Sequence, residues 1–347
     1  MPIGWGVIGA GGIASRRTIP EGILPARGAR LVALMDTDEG RAKAASLQFG
    51  VPWYTEIEPL LERGDIDAVY IATPTIAHAP QALAAISAGK HVLVEKPLAM
   101  TAAEARRIAA AAKRKGVLVG TGFMMRHHGA HQKILELIQK GTIGKPVMGR
   151  AQLSCWYPPI EGAWRQDPTL GGGGSFIDMG NHCFDLLEMF LGKTTEVHAF
   201  IGNLVHNYKS EDTAIVTFRF ESGAIGIVDN LFNVPDEASK NVLEIYGSGG
   251  GIRCEGTIGQ TPGGTVRLVA VKAGAYDARQ QRVVSKERLI RFRRVNTYRA
   301  EIEDFTRAIR AGSRPAVPIE DGIWNMRVVD AAYRSARTGR AVTLRRQ

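Results

Sequence analysis

The first third of the chain alternates short apolar runs with longer stretches of helical character. The runs are apolar throughout, which is typical of strands that are covered on both faces of a sheet. They predict strands at 3–8, 31–35, 68–72, 91–94 and 117–120, separated by helices at roughly 12–27, 38–49, 76–88 and 101–115. Strands that alternate with helices predict a parallel, doubly wound sheet of the α/β class.

The pattern changes after residue 122. Residues 213–220 alternate with the period of a half-buried strand, and Ser222-Gly223 predicts a hairpin turn into 224–230. Further strands are predicted at 147–156, 242–247, 265–272 and 287–292, a loop at 157–175, and helices at 127–140, around His182, at 297–311 and at 320–338. Consecutive strands with few helices between them predict a mostly antiparallel sheet in an α+β domain. We therefore expect two domains, 1–122 and 123–347.

A glycine loop joins the first predicted strand to the first helix. Its sequence, Gly9-Ala-Gly11-Gly12-Ile13-Ala14, has the G-x-G-x-x-A spacing in a strand–turn–helix context. Gly9 allows a tight turn, Gly11 lets the backbone approach a pyrophosphate, and Ala14 keeps the helix close to the strand. The helix N-terminus adds N–H donors and a partial positive charge. The loop predicts dinucleotide binding, although glycines at this spacing also form ordinary turns.

Asp36 ends the second predicted strand, 22 residues after Ala14. An acidic side chain at this place meets the ribose hydroxyls of NAD and repels a 2′-phosphate. Thr37 and Asp38 offer no cation to hold that phosphate. We therefore expect NAD to be preferred over NADP. The alternative role for Asp36 is the N-cap of the following helix.

Two further segments carry candidate catalytic chemistry. Lys96 follows the fourth predicted strand, at the edge of the sheet where cofactors bind, and a lysine there can polarise a substrate oxygen. Asp178, His182 and Asp185 recur at helical spacing, which places them on one face of a helix. His182 is the acid/base candidate because histidine titrates near neutral pH, and Asp178 would orient its ring or bind a substrate hydroxyl. The alternatives are a surface lysine and a structural histidine.

The candidate substrate residues are aromatic or cationic, since ring faces and guanidinium groups suit sugar hydroxyls and carboxylates. They are Arg126, Tyr157, Trp164 and Arg165, together with Asp178 and His182. The alternative for the aromatic residues is core packing.

Two sets of side chains could bind a metal, namely Asp178, His182 and Asp185, or His127, His128 and His131. Neither set forms a recognised metal signature, so we expect no metal.

Composition restricts the class of protein. The 347 residues can form two domains with cores, and the chain has no apolar stretch near the ~20 residues of a membrane span. A strand that begins at Ile3 leaves no room for a signal peptide, and three cysteines give no disulfide framework. We therefore expect a cytoplasmic protein that does not bind a membrane.

The net charge of +10 is concentrated near the C-terminus, where residues 267–347 hold 19 Lys/Arg and 8 Asp/Glu. The densest basic cluster contains Lys286, Arg288, Arg291, Arg293 and Arg294. Such a cluster could face nucleic acid or an anionic substrate. No nucleic-acid motif or stacking aromatic residues accompany the charges, so we expect a solvated face and no nucleic-acid partner.

With these motifs the chain resembles the Gfo/Idh/MocA oxidoreductases, named for glucose–fructose oxidoreductase and inositol dehydrogenase. The resemblance runs nearly end to end and includes GAGGIA at 9–14, Thr73-Pro74 with His78, AGKHVLVEKP at 88–97, Trp164-Arg165, GGGG at 171–174, D-x-G-x-H at 178–182 and the segment 333–343. Within the family, Tyr157-Pro158-Pro159 followed by Trp164-Arg165, and Arg126 followed by Gly129-Ala130-His131, resemble the 1,5-anhydrofructose reductase group. The chain differs by Asp36, where those NADPH enzymes carry a small polar residue, and by Gly129, where most members have proline.

The resemblance implies a Rossmann domain followed by a domain on an open, largely antiparallel sheet, which often forms a dimer or tetramer interface. It implies that Lys96, Asp178 and His182 form the catalytic set, and that the Lys96–Pro97 bond is often cis. It also places further residues at the cofactor with the glycine loop, namely Thr73, Pro74, His78, Glu95 and Lys96.

The resemblance further implies an NAD(P)-dependent oxidoreductase that acts on a secondary alcohol or ketone of a sugar, inositol or related polyol. The alternative is a cofactor-binding redox sensor without catalysis. The intact set of Lys96, Asp178 and His182 speaks against a sensor, which has no need of acid/base chemistry.

Overall fold

The computed structural model describes residues 1–271, 278 and 286–345. The described residues form fifteen strands: β1 (Ile3–Ile8), β2 (Ala29–Met35), β3 (Trp53–Tyr54), β4 (Ala68–Ile71), β5 (His91–Glu95), β6 (Val119–Gly122), β7 (Pro146–Gln152), β8 (Thr194–Gly202), β9 (Thr213–Phe220), β10 (Ile225–Leu231), β11 (Val242–Gly247), β12 (Gly250–Glu255), β13 (Thr265–Ala270), β14 (Arg288–Leu289) and β15 (Val342–Thr343).

The α-helices of the described residues are α1 (Glu39–Phe49), α2 (Ile57–Leu61), α3 (Thr75–Ser87), α4 (Ala102–Lys115), α5 (Gly129–Gln139), α6 (Pro168–Gly171), α7 (Asn181–Leu191), α8 (Thr297–Ala311) and α9 (Ile319–Thr338). Ala14–Ile23 and Phe176–Gly180 are wound more widely as π-helices, while Met124–His127 and Trp164–Gln166 are 3₁₀ turns. The N-terminal π-helix contains Pro20, whose missing N–H is compatible with the wider i→i+5 pattern.

The chain divides into two compact units. The first unit contains Met1–Met124, Gly162–Gly173 and Asn296–Asp330, and the second contains Met125–Glu161, Gly174–Val295 and Ala331–Gln347. The predicted domain limits, 1–122 and 123–347, place a single division in the chain. The compact units follow different limits because two later segments belong with the first unit. One of them carries α8, which packs on Ala14–Ile23, and the other carries α6, which packs on α3.

The first unit is built on a six-stranded parallel sheet with the order β3-β2-β1-β4-β5-β6. Ile8 at the end of β1 pairs with Met35 of β2 and with Ile71 of β4, so the carboxyl ends of these three strands lie side by side. The segments that follow them begin at Gly9, Asp36 and Ala72. This edge of the sheet is where ligands bind in doubly wound folds.

The core of the first unit contains large side chains from the sheet and from α8. Trp5, Tyr70, Ile302 and Phe305 are each at most 2% exposed. The Trp5 indole N–H donates to the Thr306 hydroxyl at 3.2 Å, which gives the buried ring a polar partner. Helix α8, although distant in sequence, therefore belongs to the Rossmann core.

The second unit is built on a nine-stranded sheet with the order β14-β13-β12-β11-β7-β10-β9-β8-β15. The pairs are antiparallel except β7 with β10, which is parallel. Helix α7 covers one face, where a Cβ at Gly149 would lie 2.8–2.9 Å from the Leu187 and Leu191 side chains. The outer side chains of β9 alternate with the buried ones, as its sequence predicts.

The α/β fold class, the parallel first sheet, the mostly antiparallel second sheet and the hairpin at Ser222-Gly223 are confirmed. Predicted strand 147–156 ends at Gln152, predicted strand 117–120 begins only at Val119, and 157–175 contains α6 as well as loop. The prediction gave no bounds for β3, β8, β12, β15 and α2. Short elements and the glycine-rich start of β12 carry little periodic signal, whereas β8 is nine residues long and was missed because its burial does not alternate strictly. Residue 272 of predicted strand 265–272 lies outside the described residues.

Candidate active site

The glycine loop lies at the carboxyl edge of the first sheet. The backbone N–H groups of Gly9 and Ala10 both donate to the Met35 carbonyl, at 2.8 and 3.0 Å, which ties the loop to the end of β2. Gly9 has a φ of 87°, and a Cβ there would lie 2.8–2.9 Å from Thr73 and from the Ala72 backbone. Glycine is therefore required at position 9, because the segment after β4 approaches it closely.

A cavity of about 210 Å³ opens beside this loop. Its lining includes six of the predicted cofactor residues, which are Gly9, Gly11, Gly12, Asp36, Thr73 and Pro74. A Cβ at Gly12 would meet no atom within 4 Å, so the loop is open at this point. Of the other predicted cofactor residues, Ile13, His78, Glu95 and Lys96 do not line the cavity. The residues present fit a dinucleotide whose phosphates lie against the glycine backbone.

Asp36 lies at the ribose end expected for this loop and is 7% exposed. Its carboxylate accepts the Gly11 N–H and the Asp38 N–H, each at 3.0 Å. The N-cap of α1 is Asp38, which accepts the Arg41 N–H at 2.9 Å. The alternative role of Asp36 as the N-cap is therefore wrong, and its carboxylate faces the glycine loop instead.

Arg41 is a cation at the cavity that the sequence argument missed. It lines the cavity together with Asp36 and Thr37, and its Nε lies 3.7 Å from the Asp38 carboxylate. The sequence argument considered Thr37 and Asp38 alone. Arg41 is the third residue of α1, and the first turn of a helix after a parallel strand faces the same edge of the sheet.

His78 of α3 is buried behind the cavity and contacts two carbonyl oxygens. Its Nδ1 lies 2.8 Å from the Pro97 carbonyl and its Nε2 lies 2.9 Å from the Thr73 carbonyl. Burial lowers the pKa of His78 to about 4, and the two carbonyls only partly oppose this shift. A neutral ring has one N–H and can donate to only one of these carbonyls at a time, but it contacts both the segment after β4 and the segment after β5, so His78 positions these segments.

Glu95 and Lys96 end β5 and begin the next segment. The Tyr70 hydroxyl donates to the Glu95 carboxylate, and the Lys96 backbone N–H donates to the same carboxylate at 3.2 Å. The Lys96–Pro97 peptide bond is cis, as the resemblance implies. Burial raises the pKa of Glu95, and the Tyr70 bond and the Lys96 charge oppose the shift. Lys96 is thus held at the carboxyl edge of the sheet by its own backbone.

Trp164 and Arg165 belong to the first unit. Trp164 lines the same cavity as the glycine loop, and the Arg165 guanidinium lies 4.1 Å from the centre of the Trp164 ring. Burial raises the pKa of Glu95, and the Arg165 charge is among the contributions that oppose this rise. These two predicted substrate residues therefore lie beside the cofactor residues, a position that the Pro- and Gly-rich sequence around them did not predict.

Asp178 and His182 belong to the second unit and lie on either side of the change from π-helix to α7. The Asp178 N–H donates to the Gly174 carbonyl at 3.0 Å, and His182 is 9% exposed. A Cβ at Gly180 would lie 2.6 Å from the Asn230 side-chain oxygen, so β10 approaches the helix closely between the two residues. The glycine of the D-x-G-x-H motif is therefore required by packing against β10.

The buried carboxylate of Glu211 fixes the start of this helix. It accepts the Gly174 N–H at 2.8 Å, the Phe176 N–H at 3.1 Å and the Tyr333 hydroxyl at 2.8 Å. A Cβ at Gly174 would lie 2.0 Å from the Glu211 carbonyl oxygen, so the last residue of the glycine run must be glycine. Sequence reasoning missed Glu211, because no local pattern links it to residue 174.

Arg126 and Tyr157 also belong to the second unit. Arg126 forms a two-pronged ion pair with Asp185, at 2.8 and 2.5 Å, and Asp185 is 3% exposed. The Tyr157 ring packs against Phe232 at 5.0 Å. A Cβ at Gly129 would lie 1.8 Å from the Arg293 carbonyl oxygen, which explains why proline cannot occupy this position. Asp185 therefore serves as the counter-ion of Arg126.

The histidines near α5 point to backbone groups. His128 accepts the Ala130 N–H at 3.1 Å and lies 3.1 Å from the Thr261 carbonyl, and His131 lies 2.7 Å from the Met125 carbonyl. Among the residues that the structure describes, no group of three His, Cys, Asp or Glu side chains is arranged to hold a metal ion.

Within the same residues, no helix is both long and apolar enough to cross a lipid bilayer.

Comparison with known proteins identifies the family along most of the chain. Residues 3–123 match the oxidoreductase family with an NAD-binding Rossmann fold, and residues 131–253 match the GFO/IDH/MocA C-terminal domain. The chain is 32% identical to 1,5-anhydro-D-fructose reductase of Ensifer adhaerens over 98% of both chains. It is 30% identical to myo-inositol 2-dehydrogenase of Thermotoga maritima, also over 98% of both.

A solved structure shares the fold. Aldose-aldose oxidoreductase from Caulobacter crescentus, complexed with glycerol, superimposes with a TM-score of 0.88 over 99% of this chain and 100% of that chain, at 24% identity. The two family matches together cover more than half of the 347 residues. The chain belongs to the Gfo/Idh/MocA family of NAD-binding oxidoreductases.

Proposed function

We propose that this protein transfers hydride between NAD and a secondary alcohol or ketone carbon of a sugar, an inositol or a related polyol. The observation that carries the proposal is the cavity beside the glycine loop, in which Asp36 accepts the Gly11 N–H. The relatives support the substrate class, since one is a 1,5-anhydro-D-fructose reductase and another a myo-inositol 2-dehydrogenase. Bound NAD supplies the hydride acceptor.

The proposed catalytic residues are Lys96, Asp178 and His182. In the oxidative direction His182 takes the proton of the substrate hydroxyl as hydride leaves the same carbon, and in the reductive direction it returns that proton. The Lys96 ammonium stabilises negative charge on the reacting oxygen. Asp178 orients the imidazole or binds a neighbouring substrate hydroxyl. The proposed substrate pocket adds Arg126, Tyr157, Trp164 and Arg165.

We assign cofactor binding to residues 1–122 and substrate binding to 123–347, with the later segments of the first compact unit supplying Trp164 and Arg165. Four further residues, which do not line the cavity, also belong to the proposed cofactor-binding set: Ile13, His78, Glu95 and Lys96. His78 supports this set, because it contacts the carbonyl of Thr73, which does line the cavity.

Two side chains with opposite charge bear on the proposed preference for NAD over NADP, and they act in opposite directions. Asp36 lies on the glycine loop and would repel a 2′-phosphate. Arg41 lines the same cavity but is exposed and is paired with Asp38, so part of its charge is compensated. We expect Asp36→Ser to shift the preference towards NADP, and Arg41→Ala to reduce the residual affinity for NADP more than the affinity for NAD.

We also propose a homodimer or homotetramer that uses the outer face of the second sheet. Phe200 of β8 pairs with Ile215 of β9, and both side chains are exposed, as is Ile225 of β10. An exposed apolar cluster on a sheet is typical of an interface. The proposed location is the cytoplasm, because the thiols of Cys183 and Cys254 are buried and would remain reduced there.

The test of the proposed function is the absorbance of reduced cofactor when the protein meets pooled sugars and polyols with NAD⁺ or NADP⁺. We expect a signal with at least one pool, a larger signal with NAD⁺, and loss of that signal in Lys96→Ala. Reduction of pooled keto sugars with NADH covers the reverse direction. An absence of turnover in both directions, with cofactor bound, would contradict the proposal.

A further inference from the structure

Glu301 of α8 is a buried acid that the proposed mechanism does not use. Its side chain is 3% exposed, and neither carboxyl oxygen has a hydrogen-bond partner among the residues that the structure describes. A carboxylate without hydrogen bonds is expensive to bury, so such a group binds a proton instead. Burial raises the pKa of Glu301 well above its usual value.

The surroundings of Glu301 belong to the Rossmann core. Its neighbour Ile302 packs in the same apolar cluster as Tyr70. The charged groups that act on Glu301 are two carboxyls, Glu95 at the end of β5 and Asp304 on its own helix. Both raise the pKa of Glu301 further, and Asp304 is itself paired with Arg307. The nearby electrostatics therefore favour the protonated form of Glu301.

Glu95 differs from Glu301 in its hydrogen bonds, because it accepts the Tyr70 hydroxyl and the Lys96 N–H. Burial raises the pKa of Glu95 as well, but the Tyr70 hydrogen bond and the positive charges of Lys96 and Arg165 oppose that rise. Tyr70 in turn accepts a hydrogen bond from the Thr18 hydroxyl at 2.9 Å, so the network is held on both sides. Burial and the neighbouring carboxyl of Glu95 raise the pKa of Tyr298, so this phenol stays neutral.

Two carboxyls that interact inside a protein release their protons as a pair. The hydrogen bonds that Glu95 accepts and Glu301 lacks place the negative charge of a half-protonated pair on Glu95 and its proton on Glu301. A new charge near Glu95 changes how firmly the second proton is held, because electrostatic interactions are strong in a low-dielectric core. The protonation of the pair therefore depends on whether a positive charge is bound beside β5.

The oxidised cofactor brings such a charge. Glu95 ends β5, which pairs with β4, and the segment after β4 supplies Ala72, Thr73 and Pro74 to the cofactor cavity. In a doubly wound sheet the dinucleotide spans the carboxyl ends of the strands on both sides of the switch point. Its nicotinamide ring is positively charged in NAD⁺ and neutral in NADH.

We propose that Glu95 and Glu301 form a proton-linked pair that distinguishes oxidised from reduced cofactor. Glu95 is the counter-charge, and Glu301 is a positioning residue that carries the exchangeable proton. This inference rests on the proposed function only for the location of the nicotinamide. Binding of NAD⁺ favours release of the Glu301 proton to solvent, whereas NADH leaves that proton in place.

The sign of the effect follows from linkage. A ligand that binds with release of a proton binds more tightly as pH rises, and a full proton changes affinity tenfold per pH unit. The ratio of the NADH dissociation constant to the NAD⁺ dissociation constant should therefore rise with pH, by about twofold to tenfold per unit. The same linkage makes oxidised cofactor easier to retain under alkaline conditions.

The test is calorimetric titration of the full-length protein with NAD⁺ and with NADH between pH 6 and 9, in buffers of different ionisation enthalpy. These buffers give the number of protons released for each cofactor. The variant is Glu301→Gln, which keeps the shape and cannot ionise. The matched control is Glu303→Gln on the same helix, because Arg299 and the Arg27 N–H keep the pKa of Glu303 low and that group already ionised.

We expect the wild-type protein and Glu303→Gln to release more protons with NAD⁺ than with NADH, and Glu301→Gln to lose that difference. Equal proton release for the two cofactors in the wild-type protein would overturn the inference, whether or not the variant folds. A wild-type difference retained in Glu301→Gln would overturn it as well. Loss of turnover with the proton difference intact would instead count against the proposed function.

Discussion

The glycine loop of the first unit and the D-x-G-x-H helix of the second unit are held in place in different ways. At the glycine loop of the first unit, backbone groups at the ends of neighbouring strands do most of the positioning, as where Gly9 and Ala10 donate to the Met35 carbonyl. At the helix of the second unit, buried charged side chains do it. Glu211 holds the start of that helix, and Asp185 within it is paired with Arg126.

This difference matters for substitution and for pH. Backbone hydrogen bonds do not titrate, so the pH dependence of the first unit falls on a side chain, His78, while an added Cβ is not tolerated where strand ends meet. Side-chain positioning in the second unit fails when one member of a buried charged pair is removed. The predictions below test the two kinds of positioning separately.

The largest effect on stability is expected at the Arg126–Asp185 pair. Arg126→Gln leaves the Asp185 carboxylate buried without its counter-ion, which should lower the free energy of unfolding by about 3–5 kcal/mol. The double variant Arg126→Gln/Asp185→Asn should recover most of that loss, since no buried charge remains. Urea unfolding of the four proteins in the double-mutant cycle measures the coupling. Additive losses in the cycle would show that the pair does not act as a unit.

A smaller effect is expected at Gly9. Gly9→Ala places a side chain on a backbone with φ of 87° and against the Ala72 backbone. The strain of about 1–3 kcal/mol should weaken NAD⁺ binding about tenfold. Gly64→Ala is the control, because a Cβ there would meet no atom within 4 Å. Fluorescence titration with NAD⁺ should separate the two variants, and equal affinities would contradict close approach at Gly9.

The smallest effect at neutral pH is expected at the buried histidine, and it grows on acidification. The folded protein holds the pKa of His78 at about 4, while the unfolded chain has the ordinary value near 6.5. Below pH 6.5 the unfolded state therefore binds more protons, and stability falls as pH drops towards 4. His78→Gln should lose this part of the slope in unfolding experiments. An unchanged slope would mean that His78 is protonated in the folded state.

Sequence patterns predicted the elements that contain long apolar runs or strict alternation, such as β1 and β9. They also predicted motifs whose chemistry is local, such as the glycine loop with Asp36. Elements were missed where the signal was short, as for the two-residue strand β3. Extended backbone at 153–156 without strand pairing cannot be distinguished from a strand by periodicity alone.

Long-range partners were beyond sequence reasoning. Asp185 was a candidate ligand by helical spacing, yet its partner Arg126 is 59 residues away. The sequence pattern does not distinguish Glu301 from an exposed glutamate on a helix, and only the packing of α8 shows that it is buried. Arg41 was missed because it lies in the first turn of α1, beyond the two residues that directly follow Asp36.

The most direct test of the proposed site separates cofactor binding from acid/base chemistry. His182→Ala should bind NAD⁺ within about twofold of the wild-type protein, since the cavity is formed by residues of the first unit. Its kcat with a polyol substrate should fall by about 10²–10⁴, the usual contribution of a general acid/base. Both values come from one preparation, by NAD⁺ titration and by initial rates. An unchanged kcat, or a loss of NAD⁺ binding that accounts for the lost activity, would contradict the role of His182.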